Sequence, residues 1–199
     1  PCPQVLIESR DYTGFAALYG EGITITEPGN IWDKVLKEYC QGQRAKPVWG
    51  ISTADFHREG ESGEKLGSYS TIFLVKNKKK EEILDSLRKG RFYAYRGDID
   101  SSRLILENFS IQDPEASQRS VMGEEIFSRG YPRISIRINI SGLEKRDPLT
   151  VRLIRFGDLV GTFYGEAPLN IEFKDEFFSP GKKIYYRLDA RDKNGRIVV

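Results

Sequence analysis

Histidine is almost absent from this chain: His57 is the only one in 199 residues. A metal centre needs three or four protein ligands, so one imidazole cannot anchor a histidine-rich cluster. Cysteine is nearly as scarce. Cys2 and Cys40 form neither a C-x-x-C pair nor a disulfide framework, and free thiols are the expectation. Methionine occurs once, at Met122. Apolar runs extend over only a few residues, which excludes a membrane-spanning helix. Neither sign of charge dominates, with 31 basic against 29 acidic residues and a net charge of +2. Bulk electrostatics therefore give no ground for a nucleic-acid or membrane partner. No internal repeat and no low-complexity tract interrupts the chain.

What is present is an ordinary globular composition, long enough for one large domain or two small ones. The chain opens with Pro1-Cys2-Pro3-Gln4 and runs into Val5-Leu6-Ile7-Glu8, which reads as a strand; it has no basic, apolar signal-peptide pattern. It closes on Arg196-Ile197-Val198-Val199, also strand-like. The expectation from both ends is a portion of a longer protein; its compartment is open, with the cytoplasm favoured.

The first hundred residues alternate strands and helices. Asn30 is the expected N-cap of a helix over 31–41, with Ile31, Val35, Leu36 and Tyr39 on one stripe and Gly42 as the stop. A second helix is expected over 79–89, with Ile83, Leu84 and Leu87 on its inner face and Gly90 after it. Apolar runs at 47–51 and 71–75 are bounded by these helices, a pattern that predicts parallel βα units. Beyond residue 100 the pattern changes. Residues 133–140 alternate without error and place four isoleucines on one face. Residues 149–156, 169–173 and 183–191 repeat the theme between turn signals. In the last of these, Ile184, Tyr186, Leu188 and Ala190 are expected inward, and Tyr185, Arg187, Asp189 and Arg191 outward. The predicted fold class is α/β plus all-β: an incomplete α/β unit over 1–100, then an antiparallel β-sandwich over 101–199.

Chemistry concentrates at one place. The run Pro47 to His57 is an apolar strand entering a loop that carries Asp55-x-His57. Side chains at i and i+2 of an extended chain lie on one side, so a carboxylate and an imidazole converge on one cation. A loop carboxylate hydrogen-bonded to a half-buried imidazole is the alternative reading of the same pair.

The order of motifs around this pair resembles the PHP (polymerase and histidinol phosphatase) superfamily of metal-dependent phosphoesterases. The matching pieces are Trp32-Asp33-Lys34-Val35-Leu36, then Ala54-Asp55-Phe56-His57. The Gly-rich stretch 60–67 follows, ahead of Ser70-Thr71-Ile72-Phe73, and then the segment from Ile83 to Ala94. More narrowly, the chain resembles the C-terminal part of members with an appended β-sandwich, whose tail is matched best by Tyr185 to Ala190. The resemblance implies the C-terminal fragment of a distorted β/α barrel. It implies divalent ions (Zn, Mn or Fe) in the full-length protein, a phosphate-ester substrate, and hydrolysis by metal-activated water. Asp55 and His57 fall on the family's last ligand motif. The family's other histidines, including an N-terminal His-x-His, have no counterpart here. The fragment alone is therefore expected to hold little or no metal and to be inactive, with no catalytic acid or base assigned. It is also expected to recruit the missing half or self-associate across an open barrel face.

Arg58, directly after the histidine, and Arg91 are the candidate substrate-phosphate contacts. Glu8 is a further ligand or general-base candidate of the same mouth, with strand-end solvation the plainer reading, and Glu59 reads equally as part of a solvated loop. The run Lys76-Asn77-Lys78-Lys79-Lys80 precedes Glu81 and Glu82 and reads as a solvated helix start. The aromatics Phe163, Tyr164, Phe177, Phe178, Tyr185 and Tyr186 support an alternative function, a non-catalytic sandwich binding carbohydrate or a protein partner. Strand cores are the plainer place for most of them.

Overall fold

The structure is a computed structural model that describes residues 3–20, 24–54, 56–58, 66–97, 102–142 and 147–199. It begins with helix α1 (Pro3–Glu8), strand β1 (Gly14–Leu18) and a 3-10 turn at Thr24–Thr26. Helix α2 (Ile31–Cys40) and strand β2 (Trp49–Ser52) follow, then strand β3 (Tyr69–Phe73), helix α3 (Lys80–Lys89) and strand β4 (Phe92–Arg96). The remaining strands are β5 (Leu104–Gln112), β6 (Arg119–Val121), β7 (Arg133–Ile140) and β8 (Pro148–Arg155). Last come β9 (Asp158–Glu166), β10 (Leu169–Lys174), β11 (Tyr186–Asp192) and β12 (Ile197–Val198).

Three sheets result. β1 and β2 form a parallel pair joined through α2, a single β–α–β unit. A four-stranded sheet runs β10-β7-β5-β6 and a six-stranded sheet runs β3-β4-β12-β11-β8-β9, both wholly antiparallel. The two antiparallel sheets face each other across one core. Ile134, Ile136 and Ile138 of β7 meet Val151 and Leu153 of β8, Leu188 and Ala190 of β11, and Tyr93 and Tyr95 of β4. The alternation of β7 is the physical cause: its isoleucines share one face, and each buried side chain contributes on the order of 1.5–3 kcal/mol. The outer face of the six-stranded sheet carries a second core, in which Ala94, Ile197 and Val199 meet Trp32, Val35 and Leu36 of α2 and Ala17 and Leu18 of β1. The molecule is thus mainly β and sandwich-like, with the parallel unit laid on one outer face and no closed barrel among the described residues.

Several expectations change. Residues 5–8 lie in helix α1 rather than in a strand, with Gln4 and Glu8 hydrogen-bonded one turn apart at 2.7 Å. The apolar runs at 47–51 and 71–75 suggested parallel βα units. The second run, β3, instead pairs antiparallel with β4, because α3 turns the chain back along the same edge. Both strands join the six-stranded sheet, so this sheet draws on residues from both sides of position 100. In α3 the buried residue is Ser86, whereas Leu84 and Leu87 are exposed, since the helix only skirts edge strand β3. In α2 the cap and most of the stripe hold. The Asn30 side chain accepts the Ile31 N–H at 2.9 Å, and Ile31, Val35 and Leu36 are buried, whereas Tyr39 is half-buried and Trp32 and Asp33 join the buried set.

The largest correction concerns β11. Arg187 and Asp189 point away from the sandwich core as expected, yet both are buried, because α2 and its preceding turn cover that face. Asp33 of α2 receives two hydrogen bonds from the Arg187 guanidinium, at 2.6 and 2.7 Å, and one from the Tyr185 hydroxyl at 2.7 Å. Beside it, Arg152 of β8 bridges Glu27 and Asp189, and Arg191 also reaches Glu27 at 3.0 Å. Charges that would ordinarily defend a solvent-facing sheet here fasten two layers together.

Candidate functional site

The parallel unit sets the site. The register pairs Leu18 at the end of β1 with Ser52 at the end of β2, and the Thr53 N–H donates to the Leu18 carbonyl at 3.0 Å. The loop carrying the Asp-x-His motif leaves from this shared C-terminal edge. Ligand sites in parallel sheets gather outside such ends, where successive loops diverge and backbone groups are unpaired. His57 is exposed in this loop, and Arg58 follows it, also exposed. Asp55 lies outside the described residues, as do Glu59 and most of the Gly-rich stretch.

The edge is braced by the six-stranded sheet. The Ser52 hydroxyl donates to the Tyr95 carbonyl at 2.9 Å, and the Ser52 N–H donates to the Thr71 hydroxyl at 3.1 Å. Just beyond β1, the Gly20 carbonyl accepts from the Tyr69 hydroxyl at 3.0 Å and from the Arg96 guanidinium at 3.1 Å. Arg96 also lies over the Tyr69 ring, 5.6 Å from its centre. Arg96 therefore sits at the same strand-end edge as the loop, a placement its position in sequence did not reveal. The pairing of β3 with β4 brings it there.

Arg91 lies elsewhere. It precedes β4 at the opposite end from Arg96, five residues and on the order of 16 Å away along an extended strand. Its neighbour Gly90 abuts the Trp49 ring at the start of β2, whereas the His57 loop leaves the end of that strand. Arg91 is half-buried between Asp85 at 3.8 Å and Glu124 at 3.6 Å. Arg91 and His57 are not brought together. Glu8 is exposed on α1 and bonded by Gln4.

Among the described residues no three His, Cys, Asp or Glu side chains converge as a metal-holding group. Of the loop's two candidate donors only His57 is among the described residues, and a centre needs three or four. Cys40 adds none, being half-buried on α2, its thiol pushed up to about 11 by burial and so neutral near pH 7.

A mostly apolar cavity of about 710 Å³ lies on the side of Trp49 and Gly90. It reaches from Trp32 and Leu36 of α2 through to Leu106 and Ile134 in the sandwich core. At its rim Lys183 donates to Glu125 at 2.7 Å and to the Tyr39 hydroxyl at 2.8 Å, while Tyr39 also bonds Glu125. The Lys183 bond pulls the Glu125 carboxyl below its ordinary range. No residue pattern in the sequence announced this cavity, because it arises from where strands stop rather than from any motif. Of the aromatics weighed for a binding face, Tyr164 and Phe177 are exposed, whereas Phe163, Phe178, Tyr185 and Tyr186 are partly buried.

Comparison with protein-family models, with curated proteins and with solved structures gives no match. No helix among the described residues is long and apolar enough to cross a membrane.

Proposed function

We propose that this chain supplies the Asp55-x-His57 arm of a PHP-type phosphoesterase centre that uses divalent metal ions. The observation that carries the reading is the origin of the loop: it leaves the C-terminal edge of a parallel β–α–β unit, at the end of β2 beside the end of β1. Zinc, manganese or iron bound there would polarise a phosphate ester and activate the attacking water. The donors in this chain suit such an ion in kind and fall short in number, so the remaining ligands come from polypeptide outside these 199 residues. The role of this chain is to present one carboxylate and one imidazole on a braced edge. Arg58 and Arg96 add cationic charge that would meet a substrate phosphate there. The β-sandwich acts as an accessory domain that backs the parallel unit.

The alternative of a carbohydrate-binding module needs aromatic rings grouped on one sheet face. The most exposed aromatics are Phe177 after β10, Tyr164 on β9 and Phe127 in the 122–128 loop, on three separate elements. This scatter favours the enzyme reading.

A single histidine makes the test direct, because its ring protons give one assignable pair of NMR signals. Manganese titrated into the chain is expected to broaden the His57 ring signals at substoichiometric metal, and Asp55→Asn to weaken that effect by about tenfold or more. The unaided chain is expected to hydrolyse no simple phosphoester. Ring signals that survive manganese in excess would sink the proposal. So would stoichiometric tight metal with turnover in the isolated chain, since the ligands would then be complete without an outside contribution.

A further inference from the structure

The cavity has the dimensions and edges of a missing strand. Within the six-stranded sheet β12 lies between β4 and β11 and is only two residues long. Its last contact is a reciprocal pair: the Val199 N–H donates to the Ala94 carbonyl at 3.0 Å, and the Ala94 N–H to the Val199 carbonyl at 2.9 Å. On the other flank Ala190 pairs with Val198. Past this point β4 still has Tyr93 and Phe92, and β11 still has Leu188, Arg187 and Tyr186, with nothing described between them. Two strands flanking an absent third stand about 10 Å apart, twice the ordinary spacing. Phe92, Tyr186, Arg187, Leu188 and Val199 all line the cavity.

The alternation of an antiparallel ladder fixes which groups face the gap. Ala94 bonds Val199, so Phe92, two residues back, turns its N–H and C=O into the slot. Asp192 bonds Arg196 in the same ladder, so Ala190 and then Leu188 face the slot from β11. Buried backbone groups of this kind are nearly always paired. A third observation is independent of the backbone. Arg187 is 6% exposed, two of its nitrogens are held by Asp33, and its Nη1 is buried without an acceptor.

We infer that the cavity is a strand slot for an extended segment of another polypeptide chain, added in line with β12 between β4 and β11. Register continues from Val199. The first residue of the occupant falls between Tyr93 and Leu188, the second between Phe92 and Arg187, the third between Arg91 and Tyr186. Side chains alternate across the sheet, so the first and third face the sandwich core at Leu106 and Ile134 and are apolar. The second faces α2 beside Arg187, and an oxygen acceptor there satisfies Nη1, as an asparagine would. A fatty ligand fills the apolar volume equally well, yet it leaves the Phe92 and Leu188 backbone groups unpaired. Those groups decide for a peptide, by the logic of strand addition. The inference does not depend on the Asp55-x-His57 reading.

The test uses the intact chain and the peptide acetyl-Val-Asn-Val-Lys-Lys-amide, whose first three residues fit the slot and whose lysines keep it soluble. Hydrogen exchange is followed by NMR. Saturating peptide is expected to slow exchange at the Phe92 and Leu188 amides by about tenfold or more, while amides of β10 stay unchanged. The same peptide N-methylated at its second residue keeps its side chains, loses the bond to Phe92 and is expected to give no protection. In parallel, Val-Asn-Val appended directly to Val199 is expected to protect the same two amides, and replacing the appended asparagine with leucine to give part of that protection back. Protection by the free peptide supports the assignment of the slot to a strand from another chain. Protection by the appended residues alone would overturn it. Equal protection by the N-methylated peptide, or none from either the free or the appended segment, would overturn the inference.

Discussion

Arg187 and Asp33 show how much one residue pair carries. The Asp33 side chain is fully buried and the Arg187 side chain is 7% exposed, so neither charge has water to fall back on. The Arg187 guanidinium also lies over the Trp32 ring, 5.0 Å from its centre, and Tyr185 donates a further hydrogen bond to the same carboxylate. Removing one partner strands the other charge in an apolar layer, which costs about 3–5 kcal/mol, whereas replacing both by apolar groups is close to neutral. Arg187→Met is therefore expected to lower unfolding stability by about that amount in urea titrations, and Asp33→Leu in the same chain to restore most of it. Additive losses would refute the pairing. Nothing in the sequence told of this contact. Strict alternation put Arg187 and Asp189 on the solvent side of β11, and the alternation itself was right. What it does not encode is that residues 24–40, some 150 positions earlier, lie across that face. His57 stands at the other extreme, since its loop and the strand before it were readable from local pattern alone.

The elements that were legible are those whose signals are local. α2 carries its own N-cap at Asn30, and α3 stops at Gly90, whose φ of 69° is open to glycine and costly for other residues. The partnership of β3 and β4 was not legible, because period and composition cannot distinguish a helix that crosses over a sheet from one that returns along its edge. Gly90 bears on this element directly. A Cβ there would stand 2.6 Å from the Trp49 ring, so substitution combines backbone strain with a clash against the start of β2. Gly90→Ala is expected to cost about 2–4 kcal/mol. It should also blue- or red-shift tryptophan emission, since Trp49 must move, whereas Trp32 on α2 keeps its environment. A stability loss below about 0.5 kcal/mol, within the range of ordinary surface substitutions, would show that the helix end is free to shift.

At the scale of the whole molecule, two cores share one sheet, and they are fastened differently. The sandwich core between the two antiparallel sheets rests on the larger apolar cluster, with a buried carboxylate–arginine contact, Asp175 with Arg155, at its rim. The outer layer, α2 with β1 and β2, has a smaller apolar core and leans on carboxylate–arginine contacts: Asp33 with Arg187, and Glu27 with Arg152 and Arg191. The hydrogen bond from Arg152 is the main reason the Glu27 carboxyl is held below its ordinary range. A carboxylate depressed in the folded state contributes stability above its unfolded value, about 4.3 for glutamate, and that contribution fades as pH falls through the lower folded value. Acid should therefore loosen the outer layer before the sandwich. Between pH 7 and pH 3, corrected for intrinsic rates, amide exchange in α2 is expected to accelerate by at least about tenfold more than in β7. Arg152→Met should move the onset of that loosening to higher pH, because Glu27 then titrates nearer its ordinary value. Equal acceleration in α2 and β7 would mean that the layers open as one cooperative unit. The strand-end edge from which the His57 loop leaves would then be as rigid as the sandwich behind it, instead of resting on a layer that acid detaches.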